Sequence, residues 1–306
     1  MQEGQRATAI VSADDLGLSC GITDGILDAI DNGFLTSTSV IANGAAFDYA
    51  IDEYRKREGL MLAVHLNLCE GRALTPRDEI ALLVDENGNL CRSFASLLLG
   101  TARASRGERQ DLKQQLKTEM RAQILRVGER MGMESGFRVD SHQHYHMIPI
   151  VFDALMELHE EFEFSYVRNL AEPFFLLDGW SVSARDHLGL NLIKHLLLKS
   201  LAARAGRRLE GMNIPHCDRF VGVLFSGHMT NRVVRSAIDH IRATASHDAA
   251  VELLLHPGQA RVGEESLWQD RPELASYYFS DARAEERNTL KSSEFRSVLK
   301  SDSPNH

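Results

Sequence analysis

Short apolar runs alternate along the chain with longer stretches whose apolar residues recur every three or four positions. Ala9 to Val11 open a strand predicted to stop at Asp14 and Asp15. Ile22, Ile26 and Ile30 then mark one face of a helix that Gly33 is placed to end. Residues 37–42 read as a strand, 47–57 as a helix, and 60–66, apolar except for His65, as a third strand. Leu112, Leu116, Met120, Ile124, Val127 and Met131 trace one side of a long helix. The alternation continues with strand 137–140, helix 149–160, strands 164–167 and 221–225, helix 232–243 and strand 251–255.

About seven strand–helix repeats predict an α/β fold of parallel strands with right-handed crossovers. An open doubly wound sheet and a closed β/α barrel both satisfy that order. The open sheet usually carries a Gly-rich phosphate loop after its first strand. Here Ala13-Asp14-Asp15-Leu16-Gly17 stands in that place, and two carboxylates repel a phosphate. The expectation is therefore an irregular (β/α) barrel, one domain over residues 1–306. Residues 70–93 and 100–110 fall outside the alternation, as does a larger stretch at about 170–218. That stretch joins Pro173, Phe174, Phe175 and Trp180 to a cationic helix at 191–208, and reads either as a helical insertion over the active face or as a structural subdomain. Residues 301–306 form a polar tail.

Composition narrows the partners. With 34 basic against 43 acidic residues, a net charge of −9, the chain lacks the basic excess that displaces counterions from nucleic acid, so no nucleic-acid partner is expected. Cys20, Cys69, Cys91 and Cys217 are scattered, without a Cys-x-x-Cys pair, and read as free thiols in a reducing compartment. Residues 1–8 are polar and do not resemble a signal peptide, and no apolar run approaches the roughly 18 residues of a membrane span. A cytoplasmic protein is expected.

Four predicted strands end in residues able to bind metal or move protons: Asp14-Asp15, His65, the run from Asp140 through His142, His144 and His146, and His256. In a β/α barrel these ends converge on one face, where the active sites of that fold lie. Adjacent buried carboxylates raise each other's pKa unless a cation intervenes, and a divalent metal lets one coordinate while the other serves as base. The alternative is a helix N-cap at Asp15. The alternating His142, His144 and His146 would point the same way from an extended segment, supplying two ligands, or one ligand and two outer-sphere or substrate contacts. Their alternative is adventitious affinity on a surface loop. Imidazole with carboxylate suits zinc, manganese, iron or cobalt. His256, followed by Pro257-Gly258, sits where an acid to a leaving amine is needed, or is a structural strand end. Arg168, just past a strand, is placed either to steady an aspartate through a bidentate pair or to make an ordinary surface ion pair.

With Ala13-Asp14-Asp15-Leu16-Gly17, His65-Leu66-Asn67-Leu68, Asp140-Ser141-His142-Gln143-His144-Tyr145-His146 and His256-Pro257 in order, the chain resembles the YdjC-like carbohydrate deacetylases over residues 9–258. The resemblance implies an irregular β/α barrel, often dimeric, with one divalent metal, magnesium, held by Asp15, His65 and His142. It implies Asp14 as base, His256 as acid, and an N-acetylated sugar as substrate, hydrolysed to acetate and an amino sugar. Two positions depart from the family pattern: Leu16 replaces a phenylalanine and Gln143 a histidine, and both bear on the shape of the sugar pocket. Metal-assisted hydrolysis of a phosphoester or cyclic amide, and non-catalytic sugar binding, are the competing expectations.

Overall fold

The computed structural model describes residues 9–177, 182–246, 248–269 and 271–300, with the backbone alone for 182–190 and 300. The polar tail, the first eight residues and Trp180 therefore lie outside the described residues. Seven strands, β1 (Ile10–Leu16), β2 (Ser37–Val40), β3 (Met61–Leu66), β4 (Arg138–Ser141), β5 (Tyr166–Val167), β6 (Arg219–Val221) and β7 (Val251–Leu255), form one all-parallel sheet in the order β5-β4-β3-β2-β1-β7-β6.

The sheet curls strongly. Arg168, after β5, touches Asp14 on β1 at 2.6 Å, although four ladder steps of roughly 4.8 Å would separate those strands by about 19 Å in a flat sheet. The Tyr166 hydroxyl likewise donates to Glu252 on β7 at 2.6 Å. Closure is incomplete: β5 and β6 do not pair as strands, and the seam carries single bonds from the Val167 N–H to the Pro215 carbonyl and from the Phe220 N–H to the Ala171 carbonyl. The parallel β/α architecture is as expected, as a barrel open at one seam.

Helices α1 (Cys20–Asn32), α2 (Phe47–Tyr54), α3 (Phe94–Arg103), α4 (Arg106–Met131) and α5 (Pro149–Phe162) flank the first strands. The N-cap of α1 is Ser19, whose hydroxyl accepts from the Ile22 N–H, and not Asp15. Helix α4 starts at a Ser105–Glu108 capping box and stops at left-handed Gly132; its Leu112, Leu116, Met120, Ile124 and Val127 are buried as the spacing predicts. It also buries two polar residues with a purpose. Gln123 brackets the Asn67 backbone at 2.8 and 2.7 Å, and Glu119 accepts from the N–H groups of Leu74 and Thr75, so α4 fixes the loop leaving β3.

Helix α6 (Val182–Gly211) fills much of the 170–218 stretch and packs against residues 142–147. Then come α7 (Asn231–Thr244), α8 (Pro272–Tyr278), α9 (Ala282–Lys291) and α10 (Ser293–Lys300). None of the described helices is long and apolar enough to cross a membrane.

Strand β6 lies two residues earlier than its apolar run predicts. The N–H groups of Gly222, Val223 and Leu224 go to the buried Glu172 carboxylate at 2.7–3.1 Å and are lost to a ladder. Gly222, at φ +151°, also turns where a side chain would strike Leu254.

Candidate active site

The site begins with a fault in β1. In a regular strand Asp14 and Asp15 would face opposite sides of the sheet. The register of β1 against β2 shifts between Ala13 and Leu16, and Asp15 adopts a left-handed φ of 75°. Both carboxylates are thereby buried at one centre, 2% and 3% exposed. The turn from β4 is equally unusual. His142 to Met147 form a 3-10 segment in which Gln143 and His144 have φ of 50° and 65°. The extended segment predicted for the three histidines is therefore corrected, and they part company.

His142 places Nδ1 2.8 Å from Asp15 Oδ1 and Nε2 2.7 Å from Glu70 Oε1. His144 packs edge-on to Phe220, its buried Nδ1 without a partner among the described residues. His146 is a strut: Nε2–H donates to the Arg168 carbonyl at 3.0 Å, leaving Nδ1 to accept from Ser141. From β3, His65 sets Nε2 3.4 Å from Asp15 Oδ1 and 3.8 Å from Asp14 Oδ2, while Nδ1 meets Asp140 at 2.6 Å. Arg168 holds Asp14 through two bonds of 2.6 and 2.9 Å, and also pairs with Asp140 and Glu252, each at 2.8 Å. Ser39 donates a further bond to Asp14 at 2.9 Å. His256, half-buried past β7, leaves Nδ1 unpartnered among the described residues and stands edge-on to Tyr277.

Ionisation follows from burial set against these charges. Burial opposes the charged form of Asp14, but Arg168 and His65 prevail and hold its pKa at about 2. Asp15 is likewise held well below the usual carboxylate range by His142 despite its burial. Burial works against both protonated imidazoles, yet Asp14 and Asp140 carry His65 up to about 9, and Asp15 and Glu70 carry His142 to about 10. Burial wins at the other three: His146 falls to about 3, His256 to about 4, and His144 well below its ordinary value.

Among the described residues, three sets of donor atoms approach within 4.8 Å of one another: Asp15–His65–His142, Cys69–Glu70–His142 and Asp14–His65–Asp140. The first fits a cation best. In the third, Arg168 already neutralises both carboxylates. In the second, Glu70 is saturated by Trp268 Nε1 at 2.7 Å, the Tyr278 hydroxyl at 2.9 Å and His142, and burial keeps the Cys69 thiol protonated. In the first, each imidazole turns one nitrogen to Asp15 and the other to an outer carboxylate, the arrangement that orients metal-ligating histidines. Glu70, Trp268, Tyr278, Ser39 and Glu252 were not among the residues singled out from sequence. Asp140 was, without a task; its register opposite His65 across the β3–β4 ladder supplies one.

A family model described as YdjC-like protein matches residues 8–301. The chain belongs to the YdjC-like family. Among its relatives, a carbohydrate deacetylase of Oceanobacillus iheyensis is 31% identical over 153 residues, covering 50% of this chain and 61% of that protein. A carbohydrate deacetylase of Mus musculus is 29% identical over 263 residues, 84% of this chain and 80% of the other. One from Listeria welshimeri is 29% identical over 201 residues, 60% and 76%. The YdjC-like fold matches a solved protein of Enterococcus faecalis V583, described as a candidate cellobiose-phosphate cleavage protein, with a TM-score of 0.68 at 19% identity over 97% of this chain and 95% of that one.

Proposed function

We propose that this chain hydrolyses the N-acetyl group of an amino sugar, releasing acetate, and that Asp15, His65 and His142 hold the divalent cation it needs. The observation that carries the reading is the pair of imidazoles turned onto Asp15 from opposite outer carboxylates. The relatives named carbohydrate deacetylase supply the reaction class. A divalent cation held there supplies Lewis-acid chemistry, polarising a carbonyl and easing deprotonation of water. Magnesium is the ion implied by resemblance, but two imidazoles and one carboxylate suit zinc, manganese or cobalt better than an ion that prefers oxygen.

Asp14 is the base. Arg168 and Ser39 fix its orientation and keep it ionised at any physiological pH, and it takes the proton of the attacking water. His256 is the acid to the departing nitrogen. It is neutral in the free protein, so it takes the proton it delivers from solvent, and its buried Nδ1, unpartnered among the described residues, is the free position for it. Asp14 returns the water proton to solvent, and water and amide become acetate and the protonated amine with no net proton from the protein. Acetate release from N-acetylglucosamine compounds, measured with chelator and with each divalent ion added back, tests the reaction. Asp14→Asn should bind metal normally and lose at least about 100-fold in turnover, the usual contribution of a positioned base. Near-normal turnover in that variant would remove Asp14 from the base role.

A further inference from the structure

The inward side of α9 carries an arginine and a glutamate where aliphatic residues would pack. Arg283 and Glu286 are 1% and 0% exposed and lie 3.5 Å apart. Exchanging a buried ion pair for apolar side chains of similar size is often neutral or stabilising, so packing alone does not account for this one. Both residues reach toward His256. The pairing of β7 with β1 runs to Leu255, and the N–H of the next residue, His256, goes instead to Glu286 Oε2 at 2.6 Å. Glu286 Oε1 accepts from the Met229 N–H at 3.3 Å, and Arg287 donates to the Pro257 carbonyl at 3.2 Å. From the other side α1 closes on the same turn, where a side chain on Gly258 would stand 2.5 Å from Ile22. The ring of His256 is held differently. Arg283 Nη1 donates to the Tyr277 hydroxyl at 2.7 Å, and its guanidinium lies 4.1 Å from the centre of the Tyr277 ring. His256 stands edge-on to that ring at 5.9 Å. Among the described residues its Nδ1 has no partner, whereas Asp140 holds Nδ1 of His65 and Asp15 that of His142.

We propose that Glu286 and Arg283 are positioning residues for His256, Glu286 fixing its backbone and Arg283 fixing, through Tyr277, the plane of its ring. The proposal rests on the deacetylase reading, which makes His256 the acid to the departing nitrogen. An acid must bring a ring nitrogen within roughly 3 Å of the atom it protonates, and a misplacement of about 1 Å can cost about 100-fold in rate. A histidine whose Nδ1 is unbonded has several rotamers open to it, and a clamped backbone with a tyrosine face narrows the choice. The buried pair thus does for His256 what Asp140 does for His65, without touching the nitrogen that must carry the proton.

The test measures kcat and KM for acetate release from N-acetylglucosamine compounds by the metal-loaded wild type, Glu286→Leu, Glu286→Gln, Arg283→Met and Tyr277→Phe, each also combined with His256→Asn. Glu286→Leu and Arg283→Met should lower kcat about 10- to 100-fold with KM nearly unchanged, the mark of a group used only in the transition state. Glu286→Gln keeps an acceptor for the His256 N–H and should recover most of the loss. In the His256→Asn background each change should cost less than about two-fold, because the group it positions is gone. Equal losses in both backgrounds, or a raised KM with kcat constant, would overturn the proposal and leave the deacetylase standing. Nitrogen-15 spectra of labelled histidine follow the ring without turnover, the His256 signals being those missing from His256→Asn. They should move in Tyr277→Phe, which removes one hydroxyl and leaves the buried pair intact. Unmoved signals there, with kcat unchanged, would overturn the role of Arg283. Displaced signals, with no acetate formed by the wild type, would support the positioning and sink the reaction.

Discussion

Metal binding should expel close to two protons. In the metal-free chain His65 and His142 titrate at about 9 and about 10, so both are imidazolium at pH 7. A cation needs the neutral imidazoles. Neutral pH lies two units below one value and three below the other, so freeing both nitrogens costs on the order of 7 kcal/mol at about 1.4 kcal/mol per unit. Local charge does not change, because one divalent ion replaces two protons among the same carboxylates. Apparent affinity should therefore rise about 100-fold for each pH unit between 6 and 8, then flatten through 9 and 10. Titration calorimetry in two buffers of different ionisation enthalpy counts the protons directly. A count near zero, or affinity independent of pH, would show that these imidazoles are not the ligands. The linkage also sets the stability of the metal-free protein. Both histidines are raised above their unfolded value of about 6.5, so their contribution is complete below it and is lost as pH rises through 9 to 10. The metal-free chain should lose Tm across that window, and the metal-loaded chain should not.

Two substitutions probe the residues around the centre. Glu70→Gln weakens the hold on His142 Nε2 while keeping its shape, and metal affinity should fall about 10- to 100-fold, with zinc and manganese affected alike; unchanged affinity by calorimetry would make Glu70 merely structural. Arg168→Met strips the counter-charge from three buried carboxylates and should cost about 3–5 kcal/mol at pH 7 in chemical denaturation. The sign with pH should also reverse. In the wild type the depressed Asp14 contributes stability above its unfolded value of about 3.8, lost as pH falls toward 2, whereas in the variant burial raises Asp14, so Tm should climb from pH 7 to 5. A variant Tm that fell over that interval would contradict the role given to Arg168.

What could be read from the chain was periodic or confined to strand ends. The apolar runs around Val11, Val64 and Leu254 and the four-residue spacing from Leu112 to Ile124 specify strand and helix whatever the partners, because burial on one face or both repeats with the element's own geometry. The convergence of Asp14, His65, Asp140 and Arg168 then follows from parallel strands ending on one side of a curled sheet. The remaining features depend on backbone that breaks its period. No alternation announces that Asp15 and His144 take left-handed φ, yet those two residues decide which side chains share the centre. Strand β6 misled for the same reason: Val223, Leu224 and Phe225 are buried and apolar, but the N–H groups of Gly222, Val223 and Leu224 go to Glu172, 50 to 52 residues upstream. Trp268 and Tyr278 lie beyond the last predicted strand, in a stretch with no motif, and reach the centre by gripping Glu70, with the Tyr278 hydroxyl also 3.1 Å from His142 Nε2. Such residues act through the side chains of others, so they leave no donor pattern of their own. The strain at Asp15 is consistent with this division. An aspartate tolerates left-handed backbone better than most residues, and a bulge that turns two adjacent carboxylates to one side is what the proposed metal ligand and base in consecutive positions require.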